Sequence, residues 1–162
     1  MAERETHYWL MKSEPDVYSI RHLAAQKRGP WDGVRNFRAR NIMKDEMAIG
    51  DLVLFHHSNA KPPGIAGIAR VCSEAVPDPT QFDPKSKYYD KTAPKTKPRW
   101  WMVHVEFVEE LPEFLPLPLL REQAKLEGMP LLKPGMRLSV QPVSREHFEF
   151  ILKLGKSKTK LG

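Results

Sequence analysis

Residues 100–108 read Trp-Trp-Met-Val-His-Val-Glu-Phe-Val, and from Met102 to Phe107 polar or flexible side chains alternate with Val103, Val105 and Phe107. Such a period of two predicts a strand with one face turned inward. Working backward, residues 77–99 carry prolines at 77, 79, 84, 94 and 98 and six basic residues. A stretch so polar and so often broken reads as a long surface loop, and connections of that length in a small domain are commonly functional. Before it, residues 52–57 and 65–75 are strand-like and are joined by Asn59-Ala60-Lys61-Pro62-Pro63-Gly64, which predicts a hairpin. His7-Tyr8-Trp9-Leu10-Met11-Lys12 reads as a first strand that stops at Ser13-Glu14-Pro15. Asp16 or Ser19 can cap a helix running to about Gln26, and residues 39–48 suggest another short helix. Forward of the opening strand, residues 112–118 read as a proline-rich connection, 119–127 as a helix and 138–143 as a strand. A last helix begins at a Ser144 cap and runs to Lys153. These scattered strands and short helices lack a βαβ rhythm and predict an α+β domain, a small closed or partly closed β-barrel with peripheral helices.

The chain has 162 residues with a 41% hydrophobic content, enough for one core and inconsistent with general disorder. Its apolar runs are short, so no membrane span is expected. The opening residues MAERETHYWL lack the apolar stretch of a secretory signal, which predicts a cytoplasmic protein, or a nuclear one in a eukaryote. A single cysteine, Cys72, offers no internal disulfide, and its apolar surroundings suggest a small buried thiol.

The net charge of +6 is unevenly spread. Residues 21–40 hold six basic residues against Asp32, residues 85–99 hold six against Asp90, and Lys153, Lys156, Lys158 and Lys160 face no acid near the C-terminus. Clustered lysine and arginine with tryptophan inside or beside them favour a nucleic-acid partner, through counterion release and base stacking.

Adjacent His56 and His57 would point to opposite faces of a strand, which argues against a shared metal ion. No Gly-x-Ser-x-Gly elbow supports nucleophilic catalysis. A base held by a protein needs flat aromatic surfaces and polar groups at its edge. Trp31 and one of Trp100 and Trp101 can supply surface, since consecutive residues on an extended segment face opposite ways. Ser13, Asn36, Ser58 and Asn59 can read an edge, and Arg35, Arg38 and Arg40 lie beside them for phosphate. Lys12, Ser13 and Glu14, clustered at a strand end, could instead transfer protons.

Taken together, Tyr8-Trp9-Leu10-Met11-Lys12-Ser13-Glu14-Pro15, Trp31-Asp32-Gly33-Val34-Arg35-Asn36, Gly50-Asp51, Phe55-His56-His57-Ser58, Gly67-Ile68-Ala69, Pro77-Asp78 and Arg99-Trp100 resemble the EVE domain family in order and spacing. The resemblance spans about residues 7–154 and implies a single PUA-like domain, related to the YTH readers of methylated adenine, with 155–162 left as a flexible basic tail. It implies a monomeric reader that flips and cages a modified base, 5-methylcytosine or an oxidised form in DNA, or a modified base in RNA, without a cofactor or metal. Ser13, Trp31, Asn36 and Ser58 carry over by motif as pocket positions. Glu14, His57 and Trp100 complete the expected pocket, and Lys12, Arg35, Arg38, Arg40, Lys95 and Lys97 the expected phosphate contacts. The family's usual tyrosine-histidine-serine appears here as His56-His57-Ser58. The ASCH group of PUA-like domains suggests the alternative of a small hydrolase of modified nucleosides built on Lys12, Ser13 and Glu14.

Overall fold

Leu52–His57 (β3) is apolar at four consecutive positions because both of its faces are covered. In the computed structural model, which describes residues 5–161, Leu52 and Leu54 enter one core while Val53 and Phe55 enter another. Tyr8–Ser13 (β1) lies parallel beside it and divides the same way, Tyr8 and Leu10 to one side, Trp9 and Met11 to the other. Unbroken apolar runs, in place of alternation, are what burial on both faces requires.

Gly64–Val71 (β4) returns antiparallel to β3, forming the predicted hairpin. With Arg28–Pro30 (β2), His104–Pro116 (β7) and Val140–Val143 (β8) these strands form one six-stranded sheet in the order β2-β7-β4-β3-β1-β8. Val76–Pro77 (β5) and Trp101–Met102 (β6) form a separate two-stranded ribbon. The mixed sheet curls into a half-barrel ringed by short helices, the expected α+β arrangement. Strand β7 runs straight through the residues read as a proline-rich connection. Its register against β4 breaks between Glu110 and Leu115, so Pro112 falls in the irregular stretch, where no ladder donor is required of it.

The helices carry their signals locally. Ile20–Gln26 (α1) starts at Ser19, whose Oγ accepts from the His22 N–H at 3.1 Å while His22 Nδ1 accepts from the Ser19 N–H at 2.8 Å. Phe37–Asn41 (α2) begins two residues earlier than expected, because Asn36 is its cap, and continues into a wider helical turn over Ile42–Glu46. The expected helix over 119–127 is instead the five-residue Leu117–Arg121 (α3) followed by tight turns. Arg145–Leu154 (α4) is capped by Ser144 and buries Phe148, Ile151 and Leu152 in the first core. No helix of the described residues is long and apolar enough to cross a membrane.

Of the tail 155–162 expected to trail freely, residues 155–159 lie against β7, and residue 162 falls outside the described residues. Glu109 accepts from the Lys158 N–H at 2.9 Å, from Thr159 Oγ1 at 2.8 Å and from Ser157 Oγ, and Lys156 Nζ sits 3.4 Å from Glu113. Polar tail atoms have a carboxylate to reach there, a pairing that tail composition alone does not reveal.

Candidate binding cleft

Parallel neighbours β1 and β3 end side by side, with Ser13 paired to His57 and the Ser58 N–H donating to the Ser13 carbonyl at 2.9 Å. Their chains then diverge, Glu14 turning toward α1 through its carbonyl, which accepts from the N–H groups of Val17 and Tyr18. The divergence opens a cleft of about 1070 Å³. It is roomy by the measure of small-ligand sites, roughly 300–1,000 Å³.

Aromatic side chains line it. Trp31 is only 5% exposed, its backbone N–H held by the Val103 carbonyl and its ring in edge contact with Phe55 at 5.2 Å and Tyr18 at 6.3 Å. It therefore belongs to the second core and to the cleft wall at once. Tyr18 donates its hydroxyl to Gln26 Oε1 at 2.7 Å, over a glycine, Gly29, where a Cβ would strike that hydroxyl. Tyr88 also lines the cleft and lies on Gly33, whose φ of +78° favours glycine and whose missing Cβ would stand 2.6 Å from the Tyr88 ring.

Charge in the cleft is of both signs. Burial lowers the affinity of Lys12 for its proton. Burial raises the pKa of the Asp32 carboxyl and neighbouring Asp78 pushes the same way, while its own backbone N–H and Arg35 oppose. Burial, then the nearby Asp32, raises the Tyr18 hydroxyl.

The long loop is latched onto this wall by a buried carboxylate. Asp78 Oδ2 accepts from the Gly33 N–H at 2.8 Å and from Arg35 Nη1 at 3.2 Å, and its Oδ1 accepts from the Thr80 N–H and hydroxyl. Arg35 also donates to the Tyr88 and Val34 carbonyls and to Thr80 Oγ1, so all five of its N–H groups are engaged within the protein. Farther along, Gln81 Oε1 accepts from the N–H groups of Arg99 and Trp100, and its amide donates to the carbonyls of Asp78 and Trp100. Hydrogen bonds from Thr92, Trp100 Nε1 and Arg99 hold the Asp90 carboxyl far below the usual carboxylate range, against the opposing effect of burial.

Among the residues expected from sequence, Lys12, Ser13, Glu14, Trp31, Arg35 and Ser58 meet at the cleft. Its lining does not include Asn36, His57 or Trp100. Asn36 spends its Oδ1 on the Ala39 N–H at 2.9 Å, capping α2. His57 Nε2 accepts from the Ile20 N–H at 3.1 Å, and Trp100 is buried, stacked on Phe37 and covered by the Arg35 guanidinium. Of the expected phosphate contacts, Arg35 serves the latch. Arg40 is tied to the Arg99 carbonyl and Asn41, and Arg38 to Glu46. Lys95 and Lys97 stand exposed on the long loop. Sequence reasoning missed Tyr18, Asp32, Tyr88, Arg137 and Ser139, all of which line the cleft. Tyr88 and Asp32 sat inside the two basic segments already singled out, whereas nothing marked Arg137 or Ser139.

The EVE domain model matches residues 7–154. Human thymocyte nuclear protein 1 is 41% identical over 91% of this chain and 73% of its own length. A crystal structure of human thymocyte nuclear protein 1 in complex with DNA containing 5-methylcytosine superposes with a TM-score of 0.87 at 40% identity, covering 95% of this chain and all of that one. A Pseudomonas syringae protein superposes with a TM-score of 0.88 at 46% identity over 91% of this chain and 99% of its own. The YTH domain of Zygosaccharomyces rouxii MRB1 shares the fold at 14% identity and a TM-score of 0.55, over 99% of this chain and 92% of its own. On the family match and these identities, the chain belongs to the EVE domain family.

Proposed function

We propose that the protein is a non-enzymatic reader of 5-methylcytosine in DNA, taking the flipped base into the cleft between the ends of β1 and β3. The observation that carries this is the 40%-identical human relative held in complex with 5-methylcytosine DNA, whose fold this chain reproduces along nearly its whole length. The cleft offers what a flipped base needs. Trp31, Tyr18 and Tyr88 supply aromatic surface, and Ser13 and Ser58 supply groups that can donate or accept at its edge. Lys12, Lys87 and Arg137 add positive charge in the cleft, and Lys95 and Lys97 add exposed charge on the long loop that also carries Lys87 and Tyr88.

Titrating the protein with duplexes that differ only by one 5-methylcytosine for cytosine tests the reading. Preference for the methylated duplex is expected, and equal affinity would overturn it. A hydrolase reading keeps one supporting observation, that Lys12, Ser13 and Glu14 line the same cleft. Turnover of an acylated cytidine that is lost in Glu14→Gln would favour it.

A further inference from the structure

A reader of 5-methylcytosine faces a problem that the methyl group cannot solve. Thymine carries the same 5-methyl and the same 2-oxo group, is the same size, and is present throughout DNA. The two bases differ only along one edge, where 5-methylcytosine presents a 4-amino donor and an N3 acceptor and thymine presents a 4-oxo acceptor and an N3–H donor. Aromatic walls cannot see that difference. Neither can the hydroxyls of Ser13, Ser58 and Ser139, because a hydroxyl rotates to donate or accept as its partner requires. An ionised carboxylate only accepts, and so welcomes an amino group and repels an oxo group.

Two carboxylates line the cleft, Glu14 and Asp32. Both are exposed to solvent; Glu14 stands on the turn after β1, where its Oε1 already has a donor, Asn59 Nδ2, at 3.4 Å. Asp32 directly follows the wall residue Trp31 and precedes Gly33, the residue pinned by Asp78 beneath Tyr88. Its backbone is thus held on both sides, through the Trp31 N–H bonded to the Val103 carbonyl and the Gly33 N–H bonded to Asp78. We propose that Asp32 reads the edge of the caged base, accepting from the 4-amino group, and so makes the cleft selective for amino-bearing pyrimidines over thymine. The proposal rests on the reader function above.

The test uses the whole chain and DNA bearing one 5-methylcytosine, cytosine or thymine, each set opposite an abasic position so that no partner base has to be unpaired. The parent protein should favour 5-methylcytosine over thymine by about 5- to 150-fold. In Asp32→Asn the amide can turn to offer oxygen to the amino group or nitrogen to the oxo group. That variant should therefore hold 5-methylcytosine within a few-fold of the parent and bring the ratio to thymine close to one. Asp32→Ala should lose the same ratio together with affinity, and matched melting curves confirm that both variants fold. Parental discrimination in both variants, with the preference for 5-methylcytosine over cytosine intact, overturns the assignment of Asp32 while leaving the reader function standing. A parent that does not distinguish 5-methylcytosine from cytosine overturns both.

Discussion

The Arg35 guanidinium meets the Asp78 carboxylate at 3.2 Å, 43 positions apart in sequence, joining the segment that carries Trp31 to the long basic loop. Asp78 is 1% exposed and accepts from Gly33, Arg35 and Thr80, so its loss leaves several buried donors unpaired. Breaking such a buried pair typically costs about 3–5 kcal/mol. Asp78→Ala should therefore lose stability on that scale in denaturant unfolding. Because Tyr88 is anchored through the same arginine, base binding should fall further than stability alone explains when measured at a temperature where the variant is folded.

His56 faces a different cost. It is 3% exposed, with neither ring nitrogen hydrogen-bonded among the described residues, and burial, then Lys12 and His57, lower its pKa from 6.5 to about 4. The unfolded chain therefore takes up this proton more readily than the folded one. Stability is complete above pH 6.5 and falls as pH drops toward 4, with a limit of about 3 kcal/mol for this group. His56→Phe removes the titration and the unpaired nitrogens together. Its melting temperature should match or exceed the parent's at pH 7 and change less between pH 7 and 5.

Asn36 shows where the sequence was legible and where it was not. An asparagine before Phe37-Arg38-Ala39-Arg40 fits a helix cap as well as a base-edge reader, and the structure shows the first: its Oδ1 accepts from the Ala39 N–H at 2.9 Å. Ser144 was legible as a cap because hydrophobic periodicity followed it, whereas Asp16 and Ser19 read alike until the structure placed Ser19 at the cap. Strand β3 was legible to its last residue because both cores press on it. Arg35 looked like a phosphate contact because sequence shows its charge but not its partners, which stand near positions 78–88. Ser139 stands near the start of the stretch read as a strand, with Arg137 just before that stretch, and what brings both to the cleft is the pairing of that stretch with β1, including the bond from the Lys12 N–H to the Ser139 carbonyl, which the sequence of either segment does not show.

For Asn36 itself the expected outcome is structural. Asn36→Ala should cost about 1 kcal/mol, as lost caps do, and Asn36→Asp, which caps as well, should restore it. Both should keep the parental ratio between 5-methylcytosine and cytosine, read in the same titrations.

Lys95 and Lys97 stand exposed, and among the described residues their side chains have none of the internal ties that occupy Arg35 and Arg40. Each phosphate contact adds about 0.9 to the steepness of log affinity against log salt on duplex DNA. Replacing both with alanine should flatten that slope by up to about 2 and weaken methylated and plain duplexes alike. An unchanged slope would remove this part of the loop from the interface.

Trp31 stands in the second core and in the cleft wall, and its core role and its proposed stacking role are confused by one substitution and separated by two. Its ring packs edge-on against Phe55 and Tyr18 inside the second core, so Trp31→Ala should cost about 3–5 kcal/mol of stability. The same change removes stacking on the base, about 1–3 kcal/mol. Trp31→Phe keeps an aromatic ring against Phe55 but surrenders the outer part of the indole, so it should melt closer to the parent while still binding 5-methylcytosine more weakly. The two measurements then fall on different axes, thermal melting reporting the core and titration below the melting range reporting the cage. A phenylalanine variant that melts lower but binds as tightly as the parent would leave Trp31 a core residue alone and shift the stacking role to Tyr18 and Tyr88.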